Sequence, residues 1–469
     1  MDNSKNLFAL SLSSFVVNLS YGLIMPFIPL YLKAIGSIIT LPIIGNIGIA
    51  AQIGFLAAGF MISRAFLAPK YGALSDYSGR KPIILVGLIF YSFLSAFYGF
   101  ATNFWLLFIA RFLQGVASAA VWPVAEALVA DSSTEEKIGR NLGLFMLSMQ
   151  FGWAFGPFIG SAGYYYVHAV LGFSSVFSYR ALFLATAILS LISAIICELL
   201  VTDPKNTAPL KLKEIFVTIW VMLVALFKST QTLARRNKTP LLKKPKIFLA
   251  MYAYGLLNGF AFSSIFPLMT IFLLDYYHLS IETIGVVVGL GSVVGMLMNP
   301  FGGWISDKRG RIPILWFSTI VGGIFLILIG VKLTFALLVA VFVLRQMAMA
   351  IRMPVFRAFQ TEIVPSEVRG EEFGSVQMYF NIGSIIGPIF GGYMYDLLYG
   401  VEWEFHNYTF YGLIFLFSLT VFLSIVSLAG LTIANRKIMH KKSGNGLKKI
   451  YVATTMDLLD EELLLPAKK

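Results

Sequence analysis

Twelve apolar runs, most of them 20 to 28 residues long and separated by short polar links, fill most of this 469-residue chain. About 20 apolar residues is the length an α-helix needs to cross a hydrocarbon core about 30 Å thick. The runs fall approximately at 7–32, 44–68, 82–101, 104–129, 141–167 and 179–201, then at 247–274, 283–304, 313–332, 335–360, 373–397 and 408–434. Composition agrees: 58% of residues are hydrophobic and 13% charged, about half the charged share of a soluble domain. The expectation is an all-α membrane protein with twelve transmembrane helices. The first run is far longer than the core of a cleavable leader and has no small-x-small cleavage site, so it is read as a span.

The same composition narrows the function classes. A single cysteine, Cys197, excludes an intramolecular disulfide framework and a thiolate metal cluster. Four scattered histidines, no Gly-x-x-x-x-Gly-Lys loop and no acid pair near a midplane argue against an embedded enzyme. No cofactor or metal is expected. The net charge of +13 comes without a basic stripe interleaved with stacking aromatics, so the expected partner is membrane lipid, not nucleic acid.

The charges fix a predicted orientation. With the N-terminus inside, the inner loops hold nine Lys and Arg residues and the connection after the sixth run ten more, against only Lys33, Arg180 and Lys332 outside. This bias places both termini in the cytoplasm, in a plasma membrane. Within the long connection, Ile215 to Phe227 is apolar, but its thirteen residues would span only about 20 Å as a helix. It is read as an interfacial helix anchored by Lys213 and Lys228. The expected organisation is a six-helix bundle over 1–201, a basic cytoplasmic linker over 202–246, a second six-helix bundle over 247–436 and a tail over 437–469.

Two of the inner links are nearly the same. GALSDYSGRKP, Gly72 to Pro82, returns as GWISDKRGRIP, Gly303 to Pro313, at an offset of 231 residues. That offset also carries Gly152, Gly156, Pro157 and Gly160 onto Gly383, Gly387, Pro388 and Gly391, and Pro123 onto Pro354. Six helices are therefore repeated in parallel topology. In each copy a tight turn is expected, with Pro82 and Pro313 where a helix begins and Gly72 and Gly303 allowing close backbone approach. Asp76 and Arg80 can engage helix ends and each other.

In this repeat the chain resembles the major facilitator superfamily, whose two six-helix halves are a case of parallel repeats. The likeness covers the chain to about Arg436, and the first charged link is similar to the family's signature loop, with Gly72, Asp76, Gly79, Arg80 and Lys81 matched. The second copy keeps Gly303, Asp307, Gly310 and Arg311 but has Ile312 in place of Lys. The resemblance implies alternating access and a charge network reaching the end of the fourth span, where Asp131 is the expected partner and Glu362 its repeat mate. Such a network either latches one conformation or simply marks the inner face. GWAFGPFIG, Gly152 to Gly160, resembles the family's antiporter signature, with Ser161 where a second Gly is usual. Its small residues four apart, repeated in the eleventh span, equally suit close helix packing. Arg111, Gln114 and Gly115 match an Arg-x-x-Gln-Gly motif for which the resemblance implies a part in proton transfer.

Buried charge is otherwise scarce. Arg111 lies about 12 Å and Arg345 about 16 Å into the membrane at 1.5 Å per residue, where a charge is costly and usually functional; pairing with carbonyls to hold the halves together is the alternative. Glu126 is the one carboxylate clearly inside a span, about 7 Å from its end, as a proton carrier or as an ion-pair partner of Arg64. Asn18, Tyr21, Gln150, Trp153, Asn258, Asn299 and Asn381, with Phe262 and Gln377, are expected to line a cavity suited to amphipathic organic compounds. The expected function is a monomeric secondary transporter of small molecules, most simply a proton-coupled exporter. An organic-anion or sugar importer or exchanger, favoured by Arg111 and Arg345, and a non-transporting receptor are the alternatives.

Overall fold

A computed structural model of the chain describes residues 3–36, 39–41, 45–134, 137–203, 244–364, 369–406 and 408–442. Twelve long helices follow one another: α1 (Asn3–Ile24), α2 (Ile49–Ser78), α3 (Arg80–Phe100), α4 (Phe104–Asp131), α5 (Ile138–Tyr165), α6 (Ser175–Leu200), α7 (Lys246–Ile265), α8 (Ile281–Arg309), α9 (Arg311–Ile329), α10 (Phe335–Ile363), α11 (Arg369–Leu398) and α12 (Ile414–Lys442). Eleven of them are long and apolar enough to cross a membrane. The exception, α11, mixes polar Gln377 and Asn381 with a run of glycines. It packs on α7 and α2, and Gln377 and Asn381 are half-buried. The apolar segment at 215–227 and the tail beyond 442 lie outside the described residues.

The two charged links are not loops. α2 continues through the motif to Ser78 and α3 starts at Arg80, so the whole turn is Gly79, at φ +89°. The second copy turns the same way at Gly310, φ +85°, between α8 and α9. Only glycine adopts this backbone without strain, which is why one residue suffices to reverse two helices. Gly72 and Gly303, expected to admit a close neighbour, have nothing within 4 Å of where a Cβ would stand.

Two features carry no mark in the apolar pattern. Short antiparallel hairpins, β1–β2 (Ile39–Leu41 with Gly45–Ile47) and β3–β4 (Glu402–Phe405 with Tyr408–Tyr411), join α1 to α2 and α11 to α12. Both α1 and α7 tighten into a 3-10 turn, at Met25–Phe27 and Phe266–Leu268, and then resume as Ile28–Ala34 and Met269–Asp275. Pro26 and Pro267 cause this, because proline removes a helix donor and crowds the preceding turn.

Apolar packing shows how the halves meet. At the end away from Gly79 and Gly310, the far end, one core runs through both halves, from Leu23, Phe27 and Ile53 to Phe272, Ile284 and Phe417. At the end carrying those glycines, the signature end, there are two cores: one within the N-terminal half around Leu85 and Val124, one within the C-terminal half around Phe248 and Val355. The halves are thus sealed together at the far end and separate at the signature end. The seal uses small residues. A Cβ at Gly54 would overlap the Pro388 carbonyl and one at Gly392 the Ala50 carbonyl, and one at Gly285 would come within 2.9 Å of the Ser161 hydroxyl. Such close backbone approach is how membrane helices gain packing energy.

Candidate functional site: the cleft between the halves

α4 carries the first buried charge. Arg111, 3% exposed, donates from Nη1 to Gln114 Oε1 at 2.6 Å and from Nη2 to Tyr21 Oη at 3.2 Å. The three-residue spacing puts Arg111 and Gln114 on one face of α4, and Tyr98 Oη donates to the same Gln114 oxygen at 3.0 Å. The guanidinium lies over the Phe60 ring at 4.7 Å and the Tyr21 ring at 5.6 Å. Among the described residues no carboxylate pairs with it; neutral dipoles and ring faces hold the cation instead. Tyr21 stacks on Trp153 at 5.1 Å, Trp153 on Phe266 at 6.1 Å, and Phe266 on Phe262 at 5.0 Å. This aromatic chain runs from α1 through α5 to α7 and crosses from one half to the other.

Toward the signature end, Glu126 on α4 lies in the field of Arg64 on α2 and Arg357 on α10, in the opposite half. It forms no ion pair with either among the described residues, so the expected Glu126–Arg64 pair is not made in this conformation. Arg357 donates to Gln377 Oε1 at 3.1 Å, and Gln377 to Asn381 Oδ1 at 3.2 Å. Asn299 on α8 donates to Gln150 on α5, a polar contact between halves. Asn18 and Asn258 are buried and donate to carbonyls of their own helices, Ser14 at 2.8 Å and Tyr254 at 2.9 Å. Asn258 also reaches Ser427 on α12 at 3.1 Å, so it faces its own bundle.

The signature turns are tied within each half. Arg80 Nε meets Asp131 Oδ2 at 2.5 Å, and Arg311 meets Glu362 Oε1 at 2.8 Å and Asp307 Oδ1 at 2.5 Å. Asp203, just past α6, accepts the backbone N–H of Arg80 at 2.6 Å and of Lys81 at 2.9 Å. It caps the first turn of α3. The Lys81 ammonium reaches the Glu198 carbonyl at 2.6 Å and its carboxylate at 3.3 Å. The side chain of Asp76 lies outside the described residues.

The small-residue motifs sit at two kinds of contact. Gly152, Gly156 and Gly160 bring α5 onto α1 at Phe15, Gly22 and Leu23, and Gly383, Gly387 and Gly391 bring α11 onto α7 at Leu256, Phe260 and Ser264. The same stretches also face the other half: Pro157 and Ser161 touch Gly285 of α8, and Pro388 touches Gly54 of α2. The motif therefore joins close packing within a half to the far-end seal.

Four carboxylates were missed. Besides Asp203, Asp396 accepts the N–H groups of Ala50 and Ala51 across the far-end seal. Asp275 pairs there with Lys33 and accepts from Tyr395 Oη at 3.1 Å. Glu372, fully buried, pairs with Lys244 at 2.7 Å and accepts from Tyr252. Burial alone would pull the Lys244 ammonium down, but Glu372 and Tyr252 hold it above its ordinary range.

Two pseudo-symmetric helical bundles sealed at one end, with a polar and aromatic cleft between them, define a secondary transporter. The description Major Facilitator Superfamily matches residues 10–331 and again 251–446, and the chain belongs to that family, whose members are transporters rather than enzymes. It is 24% identical over 402 residues to an uncharacterised transporter of this type from Methanocaldococcus jannaschii, covering 84% of this chain and 92% of the relative. It is 25% identical over 399 residues to the quinolone resistance protein NorA of Staphylococcus aureus, covering 84% and 91%. Among solved structures, an inward-facing, unoccupied bacterial homologue of the human lysosomal transporter Spinster superposes with TM-score 0.68 at 15% identity, covering 93% of this chain and 98% of that one. The nucleoside transporter NupG gives 0.66 at 14% identity, covering 91% and 99%.

Proposed function

We propose that the chain exports amphipathic organic compounds in exchange for protons, with the signature turns and both termini on the cytoplasmic side of a plasma membrane. The observation that carries the reading is Glu126: a carboxylate without an ion partner among the described residues, where the two halves part, opposite Arg357. In this conformation the cleft opens at the signature end, which is the cytoplasmic end on this reading. Loss of a proton from Glu126 leaves an anion facing a cation across the gap, and their attraction in a medium of low dielectric favours closing that end. A proton arriving from the other side removes the attraction and lets the end reopen. The aromatic chain from Tyr21 to Phe262 gives flat apolar bodies a stacking surface, and the likeness to a quinolone resistance protein supports the same substrate class.

Proteoliposomes loaded with a quinolone and given an inward proton gradient test the coupling: extrusion that collapses with a protonophore is expected, and extrusion indifferent to the gradient contradicts it. Orientation is read separately. In a Cys197→Ser background, a cysteine at Lys308 should react with a membrane-impermeant maleimide only from the cytoplasmic face; labelling from outside reverses the topology and the cycle with it.

A second reading, exchange of organic anions, is favoured by Arg111 and Arg345, both buried and without a carboxylate partner among the described residues. In that case Arg345→Ala abolishes binding and Glu126→Gln leaves transport nearly unchanged.

A further inference from the structure

Arg345 and Arg352 stand on one helix, α10, and line one small cleft inside the C-terminal half, walled by α7, α9 and α12, with a cavity of about 40 Å³. Arg345 is 8% exposed. Among the described residues its only hydrogen bond is from Nη1 to the neutral Gln346 Oε1 at 3.2 Å, and its Nε has no partner there. Another cation, Arg352, acts on it, and among the described residues no carboxylate lines the cleft. A buried cation is ordinarily paired, because losing water without a counter-charge is costly.

The hydroxyls around the cleft do not provide that counter-charge. Ser318, Thr420 and Ser424 spend their protons on carbonyls of their own helices, at 3.0, 2.8 and 2.9 Å. Thr319 differs: it is 5% exposed and its Oγ1 has no partner. Gly322 and Gly323 form part of the wall, and at Gly323 a Cβ would meet Val421 Cγ1 at 2.7 Å. An unpaired guanidinium nitrogen, an unpaired hydroxyl and a second cation facing one space form a set of donors lacking an acceptor. The repeat strengthens the point, since the mate of Arg345 at the 231-residue offset is Gln114, which is itself bonded to Arg111 and Tyr98. The C-terminal half has the cation at this register without such partners.

We propose that this cleft is an anion pocket of the C-terminal half, in which Arg345 and Thr319, with Arg352 at its side, receive a carboxylate or another single oxyanion group. The proposal deepens the anion reading above, and binding in detergent keeps the two apart: a pocket that binds without supporting flux would stand while the exchanger reading fell.

The test is thermal unfolding of the purified full-length chain with sodium benzoate, with its uncharged isostere benzamide, with inorganic phosphate and with short-chain phosphatidylglycerol. Benzoate should raise the midpoint saturably, as a ligand of the native state must, and benzamide should not. Arg345→Gln should weaken benzoate at least tenfold and raise the ligand-free midpoint, because it removes an uncompensated buried cation. Thr319→Val should weaken benzoate several-fold and decides the matter if Arg345→Gln does not fold. Stabilisation by phosphate or by phosphatidylglycerol with the same dependence on these variants identifies a free anion or a lipid headgroup as the occupant of the same pocket. Failure of all three anions to stabilise the wild-type chain, or equal stabilisation of wild type and both variants, overturns the proposal.

Discussion

The carboxylate of Asp396, in the last turn of α11, accepts the backbone N–H of Ala51 at 2.8 Å in the first turn of α2. One half of the molecule thus supplies the N-terminal cap of a helix in the other. A helix start carries unpaired donors and a positive dipole end, so this contact satisfies the helix only while the far end is shut. Lys33 and Asp275 add a charge pair across the same seam.

Asp396→Ala should therefore loosen the seal without unfolding either bundle. Caps of this kind contribute about 0.5–2 kcal/mol, which shifts an open-to-closed ratio by roughly two- to thirtyfold. Spin labels at Val170 and Lys332, both at the far end and exposed, read the distance between halves. A longer-distance population growing in Asp396→Ala is expected; an unchanged distribution removes the cap from the gating account.

Glycine at the signature end separates fold from cycle. Gly79→Ala places a side chain at φ +89°, a cost of about 1–3 kcal/mol, and should lower both the amount of folded protein and its melting temperature. A Cβ at Gly72 meets nothing within 4 Å here, so Gly72→Leu should fold normally. If the signature end closes on small residues as the far end does, Gly72→Leu should nonetheless stall transport. Normal flux in Gly72→Leu would mean that this surface never approaches a neighbour.

Glu372 makes a prediction about stability alone. Its carboxylate is fully buried against Lys244 and Tyr252, and removing one partner of a buried pair costs about 3–5 kcal/mol. Glu372→Gln should lower the unfolding midpoint by several degrees, and Lys244→Met added to it should restore most of the loss. A double variant no more stable than the single one would assign the effect to Tyr252.

Much of this was legible in the chain. The twelve helices follow from lengths of apolar run, and the parallel halves follow from a repeat that keeps Gly79 and Gly310 in register with Asp131 and Glu362. The same offset carries Glu126 onto Arg357, an acid and a base at matching positions on α4 and α10. Other features were not legible. Asp203, Asp275 and Asp396 act on helix ends or charges far away in the chain, where no periodicity marks a partner. Glu372 falls in the first turn of a helix that begins earlier than its apolar run. The prolines that break α1 and α7, Pro26 and Pro267, sit 241 residues apart, so the repeat contains a gap that a fixed offset misses.

Glu126 carries the central claim, and gradient-driven transport against exchange measures it most directly. Glu126→Gln keeps the size and hydrogen-bonding capacity of the side chain and removes its proton chemistry. In proteoliposomes loaded with a quinolone, the wild-type chain should extrude it against a gradient when protons are supplied. Glu126→Gln should lose that extrusion by at least tenfold while still exchanging labelled for unlabelled quinolone. Proton-driven extrusion at the wild-type rate in Glu126→Gln would contradict the account.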